Sequence, residues 1–253
     1  MSEFIEVAHK DSIQVVRMTR PEKKNALTLD MYAAMADALD AGDKDPNVAV
    51  QLLAGGPDFS AGNDLADFLK LTTLTGTPTE RFLKAVSSTQ KPLIAAVAGA
   101  AVGIGSTMLL HCDMVLCAGN ARFQFPFINL GLVPEAASTL LLPRLAGSAK
   151  AAELLLLGEP FGAETALQIG MVNAIHQAET LEDAAWALAL KLAAKPRQGM
   201  AWTKALLKAE PEPMRERILR EARMFEDCLK TAELKEAVAA FREKRAPDFA
   251  KCR

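Results

Sequence analysis

Ser60-Ala61-Gly62-Asn63-Asp64 and Gly99-Ala100-Ala101-Val102-Gly103-Ile104-Gly105 decide the fold of this chain, and each stretch follows an apolar run. Glycine lets the backbone turn tightly and lets an N–H group face a ligand without a Cβ in the way. The second stretch leads into a predicted helix at Ser106, whose N-terminus adds partial positive charge. Two such loops predict an oxyanion hole, in which two N–H groups bind one carbonyl oxygen. Two ordinary glycine turns remain the alternative from spacing alone.

Further motifs follow one another along nearly the whole chain. They are Arg20–Leu27, Phe59–Leu65, Lys91–Gly99, Ala101–Gly105, Cys112–Val115, Phe125–Phe127, Gly131–Pro134 and Phe241–Phe249. None of them is decisive alone, but so many motifs in one order are very specific. In this order they resemble the crotonase superfamily, the enoyl-CoA hydratases and isomerases. The first motif resembles the CoA-contact loop of that superfamily, and the two glycine stretches resemble its oxyanion loops.

Strands alternate with helices in the pattern of the sequence, which indicates an α/β fold. A hairpin is predicted from two strands at residues 4–7 and 13–18, and Thr28 is predicted to cap the helix that follows. Further strands are predicted at residues 48–53, 93–97, 114–117 and 171–175, and a helix at about 104–111. Amphipathic helices are predicted at residues 181–194, 198–208, 212–229 and 231–244.

The resemblance adds an architecture and an assembly that periodicity alone does not give. It implies a crotonase-type spiral of strand-strand-helix turns over residues 1–180, which holds the acyl-CoA site. It also implies a C-terminal helical region over residues 181–253 that packs homotrimers, often as a dimer of trimers. The sequence contains no internal repeat or low-complexity linker that would suggest a different organisation.

Composition excludes several classes of function. Half of the 253 residues are hydrophobic and 24% are charged, as in ordinary globular proteins. The formal net charge of −2 gives no electrostatic reason to expect a nucleic-acid partner. No apolar run reaches the roughly 18 residues that a membrane-spanning helix needs, and the N-terminus lacks the pattern of a signal peptide. We therefore expect a cytoplasmic protein without a nucleic-acid or membrane partner.

Cysteine and histidine give no indication of a metal site. The four cysteines form no C-x-x-C pair and are predicted to be reduced packing residues. The three histidines are scattered, and His111, after an apolar helix, is expected to be a structural residue at the helix end. No metal, nicotinamide or flavin cofactor is implied. Coenzyme A enters only as part of the substrate, an acyl-CoA thioester.

The resemblance assigns the two oxyanion donors to the peptide N–H groups of Asn63 and Ile104, whose side chains are then incidental. Such a hole makes the α-proton of a thioester acidic, because it stabilises the enolate that remains. Hydratases of the family carry two glutamates that activate water. Thr107 and Phe127 stand at those two positions here, and neither side chain is a base. This difference argues against efficient hydration.

Glu135 is the remaining candidate for a catalytic base. A Pro-Glu pair at this place resembles the Δ3,Δ2-enoyl-CoA isomerases of fatty-acid breakdown, in which one carboxylate takes a proton from C2 and returns it at C4. Apolar neighbours are expected to raise the pKa of Glu135 by desolvation. The alternative is that Glu135 caps a helix predicted to start near Ala136.

The resemblance also places the acyl-CoA substrate against residues of the same motifs. These are Lys24, Ala26, Ala61, Gly62, Asp64, Gly105, Phe127 and Lys244. For the two lysines, a solvated charged surface is as good an interpretation as contact with CoA phosphates. For Asp64, capping of a helix that starts at Leu65 is the stronger interpretation.

Other functions stay open at this point. Within enzymes, the alternatives are hydration, or attack on an acyl ring by a carboxylate at the position of Glu135, where dehalogenases usually carry aspartate. From a different class, the chain could be an acyl-CoA-binding protein without turnover. Loss of both hydratase glutamates fits that function, whereas retention of Glu135 fits it less well.

Overall fold

Two sheets organise the computed structural model, which describes residues 2–70 and 72–252. The strands are β1 (Ile5–Lys10), β2 (Ile13–Met18), β3 (Val50–Ala54), β4 (Leu93–Val97), β5 (Ala100–Val102), β6 (Met114–Ala118), β7 (Arg122–Gln124), β8 (Phe161–Gly162) and β9 (Ala174–His176). The main sheet has the order β1-β2-β3-β4-β6-β9, and its pairs after the β1–β2 hairpin are parallel. The smaller sheet has the order β5-β7-β8.

Helices connect the strands and continue beyond them. They are α1 (Leu29–Lys44), α2 (Leu65–Phe68), α3 (Pro78–Ser88), α4 (Ile104–Thr107), α5 (Ser138–Ala146), α6 (Ser148–Leu157), α7 (Ala163–Gln168), α8 (Leu181–Ala193), α9 (Arg197–Lys208), α10 (Met214–Cys228) and α11 (Ala232–Glu243). A 3-10 turn, Met108–His111, continues directly from α4. The α/β fold and the C-terminal helices predicted from the sequence are thus confirmed. No helix in the described ranges is both long and apolar enough to cross a membrane.

Each face of the main sheet is covered by a separate apolar core, because successive side chains of a strand point to opposite faces. Leu53 and Ala95 belong to the larger core, which they share with residues of α1 and α3. Leu52 and Ala96, their chain neighbours, belong to a second core that α8 covers. The first helix after residue 180 therefore packs on the sheet, while the division of the chain at that residue stays a prediction.

Local signals account for several element boundaries. Thr28 caps α1 as predicted, because its hydroxyl accepts a hydrogen bond from the N–H of Met31. The strand predicted at residues 171–175 begins later, at Ala174. The reason is that the N–H groups of Met171 and Val172 bond to the carbonyl of Ala166 at the end of α7, and so are not available to a strand ladder.

Candidate functional site

The two glycine stretches run side by side and in parallel. They follow the carboxyl ends of β3 and β4, which are neighbours in the main sheet. The N–H of Ser60 donates to the carbonyl of Ala100 at 2.8 Å, and the carbonyl of Ser60 accepts from the N–H of Val102 at 2.9 Å. Asn63 and Ile104 each follow this paired region. Within the described residues, the N–H groups of Asn63 and Ile104 have no hydrogen-bond acceptor.

Two glycines make this close approach possible. A Cβ at Gly62 would lie 2.9 Å from the carbonyl oxygen of Val102, and the φ angle of Gly62 is +96°, which L-residues rarely adopt. A Cβ at Gly105 would lie 2.5 Å from the carbonyl oxygen of Ser60. The two segments thus lie closer together than any side chain allows, which is the physical reason for glycine at both positions.

A third segment, around residues 24–27, joins the pair of glycine loops. The N–H of Ala61 donates to the carbonyl of Lys24 at 2.8 Å, and the N–H of Leu27 donates to the carbonyl of Gly62 at 2.7 Å. The predicted substrate residues Lys24, Ala61 and Gly62 are thereby brought together, and Ala26 lies in the same turn. Their contact with substrate stays a prediction.

Asn25 holds that segment in place and was missed as a functional residue by sequence reasoning. Its buried side-chain amide donates to the carbonyls of Gly55 and Asp58, both at 2.7 Å. Its φ angle of +54° lies in the left-handed region, where asparagine is among the few residues tolerated. The sequence offers only an asparagine inside the Arg20–Leu27 motif as a clue. Its partners lie 30 and 33 residues further along the chain, beyond β3.

Asp64 is a capping residue, as the stronger of the two interpretations expected. Its carboxylate accepts from the N–H groups of Ala66 and Asp67 and is also bonded by the guanidinium of Arg20 at 2.8 Å. The bond from Arg20 is the main reason that the pKa of Asp64 is lowered. These partners tie the first glycine loop to the start of α2.

The side chain of Asn63 is not incidental, which corrects the expectation from the sequence. Its amide oxygen accepts a 2.5 Å hydrogen bond from the hydroxyl of Tyr32, a buried residue of α1. Burial raises the pKa of Tyr32, and the negative charge of Glu135 raises it further. Tyr32 therefore stays protonated and anchors the loop that carries the Asn63 N–H. The sequence gives no sign of this contact, because Tyr32 and Asn63 are 31 residues apart.

Glu135 is held by Thr107. The hydroxyl of Thr107 donates a 2.5 Å hydrogen bond to Oε1 of Glu135, while Oε2 is buried and has no partner among the described residues. Burial raises the pKa of Glu135 to about 7, against the opposing effect of the Thr107 bond. The structure does not show the capping alternative: the cap position of α5 is Ala137, Oε1 of Glu135 is bonded by Thr107, and Oε2 accepts from no N–H group among the described residues.

The remaining predicted residues lie in two different settings. Phe127 is buried in the larger core, within the 3-10 turn Pro126–Leu130. Lys244 is exposed at the C-terminal end of α11, and no contact in the described ranges joins it to the glycine loops. The structure therefore brings Asn63, Ile104 and Glu135 into one region around α1 and α4, but does not bring Lys244 there. Substrate contact by Phe127 and Lys244 stays a prediction.

Two paired glycine loops with unbonded N–H groups, close to a half-buried carboxylate, are the features of a crotonase-type acyl-CoA enzyme. A family model described as enoyl-CoA hydratase/isomerase matches residues 8–252. The chain belongs to the enoyl-CoA hydratase/isomerase family, which confirms the resemblance seen in the motifs.

Individual relatives carry different names. The chain is 36% identical to the 1,2-epoxyphenylacetyl-CoA isomerase of Escherichia coli strain K12, covering 98% of this chain and 99% of that protein. It is 33% identical to the crotonyl-CoA hydratase of Syntrophomonas wolfei, covering 98% of both. A solved structure from Magnetospirillum magneticum, titled as an enoyl-CoA hydratase/carnithine racemase, is 53% identical. It superposes with a TM-score of 0.97 over 99% of this chain and 100% of that one.

Proposed function

We propose that this protein is a Δ3,Δ2-enoyl-CoA isomerase that acts in fatty-acid breakdown. One observation carries this assignment: Glu135 is a half-buried residue whose pKa is raised to about 7, with one bonded oxygen and one buried oxygen without a partner in the described structure. The names of the relatives divide between hydratases and isomerases. The choice between the two reactions therefore depends on the acid and base groups of this chain.

The first step needs stabilisation of negative charge on the thioester oxygen. In the proposed complex that oxygen accepts from the N–H groups of Asn63 and Ile104, which are unbonded and lie on adjacent parallel segments. An oxyanion donor of this kind contributes about 3–4 kcal/mol, because the charge develops in a site where the donors are already oriented. Withdrawal of electron density by this hole makes the C2 proton acidic enough for a carboxylate to remove.

The second step needs a single group that moves a proton between two carbons. In the proposed mechanism the unbonded Oε2 of Glu135 removes the proton from C2, and the C3–C4 double bond shifts to C2–C3 as C4 takes the same proton. Atoms balance without water, and Glu135 returns to its ionised form. A pKa near 7 suits this exchange. At that pKa the carboxylate is a stronger base than at its ordinary pKa, and it holds the proton long enough to return it at C4.

Hydration is the less favoured reaction, because it needs a base for water and an acid for C2 at the same time. One position of the hydratase pair holds the hydroxyl of Thr107, which is already donating to Glu135. The other holds the phenyl ring of Phe127, which is buried in the larger core. Burial is the effect that raises the pKa of Glu135.

The pH dependence of isomerisation tests this role directly. We expect kcat/KM for a 3-enoyl-CoA to fall as the pH drops below about 7, because only the ionised form of Glu135 accepts the C2 proton. The measurement is a series of initial rates at low substrate concentration and constant ionic strength, taken over a range of pH. Under these conditions the rate reports kcat/KM and therefore the ionisation of the free enzyme. A rate that stays constant down to the ordinary glutamate pKa of 4.5 would contradict the assignment.

Hydratase activity on crotonyl-CoA is expected to be weak or absent, since Thr107 and Phe127 do not activate water. The measurement is the steady-state rate of loss of the 2-enoyl chromophore, with the same preparation assayed on a 3-enoyl-CoA as the positive control. A hydration turnover of roughly 10 per second or more, which is typical of enzymes, would show that the isomerase assignment is incomplete.

We also propose that the protein works as a homotrimer or a dimer of trimers. In the single chain α10 has no buried residue, and its apolar side chains Met214, Ile218 and Phe225 are 79%, 57% and 65% exposed. An exposed apolar helix face of this kind is typical of an interaction surface. We infer that the partner is another copy of the chain, because the resemblance implies homotrimers.

Light scattering is expected to give the mass of a trimer or hexamer at micromolar concentration. Phe225→Glu should lower that mass, because it places a charge on the apolar face of α10. Arg223→Glu, at a charged exposed position of the same helix, is the control and should leave the mass unchanged. A stable monomer of the unmodified protein would be contrary to the proposal.

A further inference from the structure

One helical segment forms two hydrogen bonds to the turn that carries Glu135. Thr107 and His111 lie four residues apart on the segment formed by α4 and the following 3-10 turn, and both side chains reach the turn that carries Glu135. Thr107 bonds to the carboxylate of Glu135. The ring nitrogen Nε2 of His111 bonds to the backbone carbonyl of the next residue, Ala136, at 2.8 Å.

The turn itself is strained. Ala136 and Ala137 have φ angles of +53° and +54°, so two consecutive alanines occupy the left-handed region. Such backbone is unfavourable for a residue with a Cβ and persists only where the surroundings hold it. At the far end of the turn, the carbonyl of Glu135 accepts from the N–H of Ser138 at 3.0 Å and from its hydroxyl at 2.6 Å.

His111 provides the bond in the middle of this strained turn. A carbonyl oxygen only accepts, so Nε2 of His111 must carry the proton that is donated to Ala136. Burial lowers the pKa of His111, which favours the neutral ring. The segment is fixed from behind as well, because the ammonium of Lys208 in α9 donates to the backbone carbonyl of His111 at 2.7 Å.

We propose that His111 is a positioning residue for Glu135: its ring N–H holds the Ala136 carbonyl and so keeps the strained turn, and with it the carboxylate, in place. His111 does not touch the reacting atoms and acts through the backbone of the turn. The inference depends on the proposed function only for the role of Glu135 as the base.

The consequence of losing the His111 bond follows from the strain. Without it, the alanines can relax toward ordinary φ angles and carry the Glu135 carboxylate away from Thr107 and toward water. Among the described residues, the titratable groups that face this region are Tyr32 of α1, Glu135, His111 and Lys208 of α9, and the ammonium of Lys208 lies 3.8 Å from the carboxylate of Asp113. Of these, the substitution of His111 removes one and leaves the others chemically unchanged.

His111→Phe tests this, because it keeps an aromatic ring and removes the donor. We expect kcat for isomerisation to fall by about 10- to 100-fold, as for a misplaced catalytic group, while KM changes by less than about twofold. His111→Gln, which retains an N–H donor, should recover most of the loss. His9→Phe, a change at an exposed histidine that bonds to Gln14, is the control.

A second measurement follows Glu135 without any substrate. The carboxyl infrared band that is present in the unmodified protein and absent from Glu135→Gln is titrated with pH. In the unmodified protein the midpoint is expected near pH 7, and in His111→Phe it should move toward the ordinary value of 4.5. His111→Asn, whose amide is too short to reach the carbonyl, gives the same comparison should His111→Phe fail to fold.

The outcomes separate this inference from the proposed function. A midpoint near 7 in both proteins, or an equal loss of kcat in His111→Phe and His111→Gln, overturns the positioning role. An unmodified protein that never isomerises 3-enoyl-CoA, but whose Glu135 midpoint still shifts in His111→Phe, overturns the isomerase assignment and leaves the positioning role intact.

Discussion

Replacing Glu135 with glutamine is expected to lower kcat for 3-enoyl-CoA isomerisation by about 10²–10⁴-fold while acyl-CoA binding stays close to that of the unmodified protein. Glutamine keeps the size of the side chain and accepts the hydrogen bond from Thr107, but it cannot take a proton from C2. The loss therefore belongs to the proton transfer and not to the shape of the pocket. The measurements are steady-state kinetics and calorimetric titration with a saturated acyl-CoA.

Glu153→Gln is the matched control, because Glu153 lies on the exposed side of α6 in an ion pair with Lys150. This control is expected to keep its turnover. A Glu135→Gln enzyme with near-normal isomerase activity would exclude Glu135 as the base. An unmodified protein that binds acyl-CoA but never exchanges the C2 proton with deuterated water would support the alternative of a binding protein without turnover.

Local features of the site could be predicted from the sequence. The glycine loops were recognisable because a tight turn and a close backbone approach leave glycine as the suitable residue, and both requirements act within a few positions. The candidate base was recognisable because Pro134 and Glu135 are neighbours in the chain. Thr28 was recognisable for the same reason, since a helix cap and the N–H group that donates to it are only three residues apart.

Contacts between distant segments could not be predicted in the same way. Asn25 reaches carbonyls 30 and 33 residues away, and Thr107 reaches a carboxylate 28 residues away. Which side chain faces which depends on the packing of α1 and α4 against the sheet. From the sequence, Tyr32 is therefore expected to be a core aromatic residue and His111 a residue at a helix end. In the structure, each of them holds a loop of the candidate site.

The strain at Ala136 and Ala137 is a further feature that the sequence concealed. Positions in the left-handed region are usually occupied by glycine or asparagine. Two alanines instead suggest the start of a helix. A helix that starts there would place Glu135 at its N-terminus, as the capping interpretation expects. A local rule that fails next to the candidate base is consistent with a turn shaped by function rather than by backbone preference.

Gly105→Ala is expected to reduce kcat by about 10²–10³-fold, the cost of losing an oxyanion donor. The new Cβ would lie 2.5 Å from the carbonyl oxygen of Ser60 and 3.1 Å from the Cβ of Ser60. Because the nearest atom belongs to the backbone, the two parallel segments must move apart. The N–H groups of Asn63 and Ile104 then no longer reach one oxygen.

Gly199→Ala is the matched control for that substitution. Gly199 lies in the first turn of α9, and apart from its chain neighbours and nearby helix backbone no atom lies within 4 Å of its Cβ position, so alanine fits there and favours the helix by up to roughly 1 kcal/mol. Thermal unfolding distinguishes a local effect from a general one: the loss of kcat in Gly105→Ala should exceed what its lower stability explains at the assay temperature. If Gly105→Ala folds and isomerises 3-enoyl-CoA as fast as the control, the two loops do not bind the thioester oxygen together, and the oxyanion hole must lie elsewhere.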